Sequence, residues 1–217
     1  LLVKQRFASN RASTATTSFD LRSERFGEVY TGTTYFGFFS DASLAEQVGI
    51  RDAELYEPGA AERGRGTRFP VPTHAPFPDD GMRMVSDVDL YVSDGVPHGL
   101  GYVEGSIAVR DDLWFFDAHF FEDPVWPGSL GLEAFVQLMK VVANERWQLG
   151  PAARFAAMPS GERHEWIYRG QVLPTDGRVT VKVVIKSIDD ERHHLVADGF
   201  LSVDGRTIYQ MTNFSLG

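Results

Sequence analysis

A chain of 217 residues, 43% hydrophobic and 24% charged, has the length of one large domain, or one domain plus part of another, and the composition of a soluble globular protein. Its net charge of -9 argues against a nucleic-acid partner, which calls for a basic surface, and no apolar run reaches the roughly 18 residues of a membrane span. Cysteine is absent, which excludes disulfides, a thiol nucleophile and a thiolate metal site, and fits a reducing, cytoplasmic setting.

No signal-peptide pattern opens the chain. It begins Leu-Leu-Val-Lys-Gln without a Met and is expected to be cut from something longer. The first forty residues run in short β-like stretches, "LLVKQRFASN" and "EVYTGTTYFGFF", with Gly32 and Gly37 suited to bulges or bends. "SDASLAEQVG" follows as a short helix, opened by Ser40 or Asp41 and stopped by Gly49. From Pro58 to Pro78 the chain is dense in Pro, Gly and Arg and has no period, which reads as a linker or surface crossover. The expected division is therefore 1–57 as one unit, 58–78 as linker and 79–217 as the main domain.

In the main domain, Met82 to Tyr91 and His98 to Val109 read as strands. Leu130 to Trp147 reads as a helix, apolar nearly all round and so buried on most sides. After Gly150-Pro151 come three strand-like runs, "HEWIYRGQVL", "RVTVKVVIKSI" and "HHLVADGFLSVDGRTIYQMTNFSL", the last carrying the hairpin signal Asp204-Gly205. One long buried helix among five or six antiparallel strands predicts an α+β fold in which a single curved sheet wraps the helix.

The chemistry-bearing stretch is "DAHFFEDPVWPGSLGLEAFVQLMK", Asp117 to Lys140, where a histidine and an acid interrupt an apolar run. Glu133, Gln137 and Lys140 share one helical stripe. Glu133 reads either as an acid complementing the helix dipole or as a functional group. A capping box does not explain it, because Ser129 as N-cap puts Leu132, not Glu133, at the third position. His119 reads either as a core or interface histidine or as a base. Between them, Pro124 and Pro127 bracket an extended connection, and Gly128 permits close backbone approach at the helix start, where amides are unpaired and the dipole is positive. A base, donors at a helix start and an acid are the set needed to abstract a proton next to a carbonyl. No His-x-x-x-His or Cys spacing supports a metal site.

The run His119-Phe120-x-x-Asp123-Pro124-Val125-x-Pro127-Gly128-x-Leu130-Gly131-Leu132-Glu133-Ala134 resembles the active-site segment of the β-hydroxyacyl-ACP dehydratases of the hydroxydecanoyl type. "MRMVSDVD", "GYVEGSIAV", "YRGQVLPTDGRVTVKVVIKSI" and "VADGFLSVDGRTIY" extend the resemblance over about 78–217. It implies the hot-dog fold, a long central helix wrapped by a curved antiparallel sheet. The segment "YFGFFSDASLAEQVGIRDA" is similar to the tail of a preceding hot-dog unit in the dehydratase region of polyunsaturated-fatty-acid-type synthases, so that 1–57 is expected as the end of such a unit. Carried over residue by residue, the resemblance makes His119 the catalytic base and Glu133 the partner acid. It makes Gly128 the oxyanion donor and Val125 the residue whose carbonyl orients the imidazole. Phe120, Trp126, Ser129 and Gln137 are expected along the substrate tunnel. Glu133 stands where the nearest relatives have Asp, Ser129 where Cys is common, and Trp126, bulkier than the usual Met, is expected to reshape the acyl tunnel.

The implied activity is dehydration of a 3-hydroxyacyl thioester to a trans-2-enoyl thioester, without a cofactor. The implied partners are an acyl carrier protein bearing the acyl chain on phosphopantetheine and a second hot-dog unit, because the family builds its site across two. Two alternatives stand beside it: a hot-dog thioesterase built from similar parts, and a non-catalytic half that completes a partner's site. Lys140, Arg146, Arg163 and Arg169 are candidate docking charges for an acidic carrier, or solvated surface.

Overall fold

The computed structural model describes residues 2–11, 14–37, 40, 46–54, 56–120 and 122–217. They divide into two compact units between Gln47 and Val48. The first is an antiparallel meander of β1 (Leu2–Arg11), β2 (Thr14–Ser23) and β3 (Gly27–Gly37), in that order. Phe19 and Tyr30 meet across β2 and β3 with ring centroids 5.3 Å apart, while Val29 and Tyr30 stay more than half exposed. Residues 41–45 of the helix expected over 40–49 lie outside the described set.

The second unit contains α1 (Ala60–Arg65), β4 (Thr67–Pro70), a 3-10 turn at Asp80–Met82, β5 (Asp87–Val92), β6 (Tyr102–Ala108) and α2 (Trp114–Ala118). The central helix α3 (Gly128–Trp147) follows, and then β7 (Glu165–Tyr168), β8 (Arg178–Asp189), β9 (His194–Val203) and β10 (Arg206–Leu216). Its strands form one sheet in the order β4-β5-β6-β8-β9-β10-β7, every neighbour antiparallel. The α3 helix packs on β6, β8, β9 and β10. A single long helix against one antiparallel sheet is the α+β hot-dog arrangement expected from the sequence.

The strand pattern explains the packing. Along β8, Val179, Val181, Val183 and Ile185 are fully buried, as period-two alternation requires of a face turned to the helix. The helix itself is buried from Leu130 to Ala143 on most sides, which matches its all-round apolar composition. Each such Leu, Val or Phe contributes roughly 1.5–3 kcal/mol of transfer free energy. Two glycines let helix and sheet come this close. A Cβ on Gly105 would lie 2.7 Å from Leu138 Cδ2, and one on Gly199 would overlap the Phe135 ring. The β9–β10 hairpin turns at Asp204-Gly205, both at positive φ (47° and 82°), as the sequence predicts.

The domain boundaries differ from expectation. Residues 48–57 join the second unit: Ile50 N–H donates to Thr207 O at 2.8 Å, Tyr56 packs edge-on against Tyr102, and Lys182 pairs with Glu57. The stretch expected as a linker over 58–78 carries α1 and the edge strand β4, and it buries Val71 and Phe77 in the core. Glu62 pins this segment by accepting from Tyr56 Oη, Gly59 N–H and Val96 N–H. These donors, the Tyr56 hydroxyl first, hold its carboxyl below the ordinary range. Proline and glycine hide the segment from pattern reading, since they erase periodicity yet remain compatible with an edge strand.

Candidate active site

The site residues hang on two anchored ends. In α2, Phe115 and Phe116 are buried, which fixes the short helix in the core. His119 caps its C-terminus, with its N–H on Phe115 O at 3.0 Å. Eleven residues after Phe115, Trp126 is buried against the same two phenylalanines, its ring 4.5 Å from that of Phe115, and its backbone N–H donates to Val172 O at 2.9 Å. The loop between them is thus held at both ends, and its own closing contact is His119 Nδ1 to Val125 O at 3.1 Å. A carbonyl oxygen only accepts, so Nδ1 carries a proton, and in the neutral ring Nε2 then has the lone pair. The Phe120 ring stacks on the imidazole at 3.9 Å and is itself 55% exposed.

The helix starts earlier than the sequence suggests. Pro127, not Ser129, is the N-cap, and Gly128 and Ser129 are already helical. Proline's fixed φ presets the entry, here -57°. The first turn closes with Leu130 N–H on Pro127 O at 2.9 Å, which leaves the amides of Gly128 and Ser129 without an acceptor among the described residues. Ser129 is exposed. The helix start rests on an aromatic cradle: Trp166 stacks on Tyr168, and both meet Tyr209 edge-on. A Cβ on Gly128 would lie 3.0 Å from Trp166 Cη2, and one on Gly131 would overlap Tyr209. Burial pushes the Tyr168 and Tyr209 phenols up, so both remain neutral. The sequence reading missed this cradle, because Tyr209 meets Tyr168 only through the β10–β7 pairing.

Glu133 lies in the second turn of α3, its side chain 28% exposed. Its Oε1 accepts from Gln137 Nε2 at 3.0 Å and from Lys140 Nζ at 3.5 Å. Gln137, expected along the tunnel, is fully buried, and its amide is committed to structure. Nε2 also donates to Met82 O at 2.8 Å, and Oε1 accepts from Met84 N–H at 2.9 Å. The 82–84 segment therefore latches onto α3 and fixes the residue that holds Glu133. No hydrogen bond or ion pair joins His119 to Glu133 within the chain. Three of the four candidate docking charges have partners in the chain: Lys140 is on Glu133, Arg146 clasps Asp190 at 2.6 and 2.7 Å, and Arg169 donates to Tyr168 O at 3.0 Å.

Among solved structures, the chain is similar to a chain of the dehydratase heterocomplex ApeI:P from Xenorhabdus doucetiae (13% identity, 68% of this chain and 90% of that one, TM-score 0.48). It is also similar to a mutant thioesterase of Pseudomonas aeruginosa (13%, 53% and 73%, 0.36) and to AziG of S. sahachiroi (16%, 53% and 81%, 0.38). The family model for the FabA-like domain matches residues 77–212, which span the central helix, the sheet from β5 onward and both His119 and Glu133. The chain belongs to the FabA-like domain family and has its hot-dog fold.

Proposed function

We propose that this protein dehydrates 3-hydroxyacyl thioesters carried on the phosphopantetheine of an acyl carrier protein, giving trans-2-enoyl thioesters. The observation that carries this reading is the bond from His119 Nδ1 to Val125 O, which leaves Nε2 free as a base. The open amides of Gly128 and Ser129 at the helix start supply the complementary electrophilic site.

The steps follow from these groups. The Gly128 amide takes the thioester carbonyl oxygen. His119 Nε2 removes a proton from C2, and the electron pair moves onto that oxygen. As the C2–C3 double bond forms, the C3–O bond breaks with its electrons, and Glu133, in its protonated form, gives the departing hydroxyl a proton to leave as water. His119 then holds one proton and Glu133 has lost one, so a proton passing back resets the site. No cofactor takes part.

No hydrogen bond or ion pair joins His119 to Glu133 among the described residues, and the reading includes a second hot-dog unit, so that the base of one unit faces the acid of the other. The second unit is another copy of this chain or a different hot-dog domain.

The test is incubation of the protein with 3-hydroxyacyl thioesters of several chain lengths, followed by mass spectrometry. Loss of water to an enoyl thioester supports dehydration. Release of free acid without enoyl product assigns a thioesterase instead.

A further inference from the structure

Lys140 is the feature of this site that the dehydration mechanism leaves unused. It stands seven residues beyond Glu133, about 10 Å further along the helix axis. Its side chain is nevertheless only 17% exposed, and its ammonium reaches Glu133 Oε1 at 3.5 Å. Glu133 is its one carboxylate partner among the described residues. To make this contact a long, rotamer-rich side chain must be held back along its own helix, and an ion pair near the surface barely repays such ordering. Stability is a poor reason for the arrangement.

The geometry of the carboxyl suggests a better one. Both donors, Gln137 Nε2 and Lys140 Nζ, end on the same oxygen, Oε1. No described residue reaches Oε2. An oxygen that accepts two hydrogen bonds is the poorer place for a proton, so a protonated Glu133 carries its proton on Oε2, the free side. Gln137 is neutral and locked by Met82 and Met84, so it fixes direction but brings no charge. Lys140 brings the charge.

We propose that Lys140 is a positioning residue for Glu133: it reserves Oε1, leaves Oε2 as the proton-bearing atom, and compensates the negative charge that appears when that proton goes to the departing C3 hydroxyl. This rests on the dehydration proposed above. In the step, the Oε2–H and C3–O bonds break, the new O–H bond completes a water, and the carboxylate charge spreads onto Oε1 beside the ammonium. The pair passes from a cation next to a neutral acid to a neutral ion pair, so the interaction is stronger after proton transfer than before it. Such a difference accelerates the step without tightening substrate binding.

The experiment compares two leaving groups on the same acyl thioester, with the protein in its active assembly. A 3-hydroxyl needs a proton to leave, whereas a 3-chloro substituent departs as chloride without one. Both still need His119 and the Gly128 amide. Removing a direct donor to a developing charge costs on the order of 10²–10³-fold, so Lys140→Met, which acts through Glu133, should lower kcat for the 3-hydroxy substrate by roughly 10-fold with KM little changed. With the 3-chloro substrate, corrected for its uncatalysed elimination, the same variant should stay within about 2-fold of the parent, and Lys140→Arg should recover most of the 3-hydroxy rate. Equal losses on both substrates would make Lys140 a structural residue and overturn the proposal. So would an unchanged 3-hydroxy rate in Lys140→Met while Glu133→Gln is inactive. A parent that eliminates chloride but never water overturns the dehydratase reading itself, an outcome distinct from either of these.

Discussion

The amide of Gln137 donates to Oε1 of Glu133 at 3.0 Å, one helical turn away, while its own carbonyl oxygen takes the backbone N–H of Met84 at 2.9 Å. A single buried side chain thus ties the candidate acid to a segment about fifty residues upstream. Its cost of removal is calculable. Gln137→Leu keeps the bulk but removes the partner of Met82 O and orphans the buried Met84 N–H, and a buried unsatisfied group costs about 1–3 kcal/mol. The variant is expected to unfold at a clearly lower urea midpoint and to lose activity per folded molecule as Glu133 is freed. Unchanged stability would mean that water serves both backbone groups.

His119→Ala removes a half-buried ring whose hydrogen bond is to a single carbonyl. The fold is held nearby by Phe115, Phe116 and Trp126, so circular dichroism and the thermal midpoint should change little. Turnover should fall by at least the ~10²-fold typical of a lost general base. A folded variant with near-parent turnover removes His119 from the mechanism.

Glu133→Gln keeps size but has no acidic proton to give. A large rate loss with little change in stability is expected, since a neutral group replaces an ionisable one that is partly buried. Mixed with His119→Ala under conditions of subunit exchange, it tests the shared site. A homodimer with base and acid on different chains regains part of its activity, because one mixed site holds both intact groups. No recovery despite proven exchange means that both groups act within one chain, or that the partner is an upstream unit.

Asp190 gives a pH prediction. The Arg146 guanidinium and then the Trp147 indole N–H hold its carboxyl well below the usual range, clasping the end of α3 to the β8–β9 turn. A depressed folded value means that the clasp contributes fully above the ordinary aspartate value of about 4 and is lost as pH falls through the folded value. Asp190→Asn should therefore lower the thermal midpoint at neutral pH, and the gap to the parent should close on acidification. A gap that persists to low pH would mean that the contact is packing rather than charge.

Much of the fold was legible because it rests on local regularities. The alternation in β8, the Asp204-Gly205 turn and the all-round apolar helix each follow from neighbours within a few residues, where side-chain period and backbone preference are decided. The motif from His119 to Ala134 was legible for a similar reason: its Pro and Gly positions constrain the backbone wherever the rest of the chain lies. The α3 start was misplaced by two residues because a serine is the commoner cap, whereas Pro127 occupies that role here.

The sequence by itself determined that this chain is α+β, with one buried helix, an antiparallel sheet and a histidine and an acid flanking a Pro-Gly turn. Only the tertiary structure decided that residues 48–78 belong to the domain, since their contacts with Thr207, Tyr102 and Lys182 span 46 residues or more and leave no period in the sequence. It alone decided that Gln137 latches the 82–84 segment onto α3, and that Trp166, Tyr168 and Tyr209 seat the helix start. It also decided which charge Lys140 serves, because the partner of a flexible cation is set by where the surrounding surface lets its side chain lie, and residue order does not encode that.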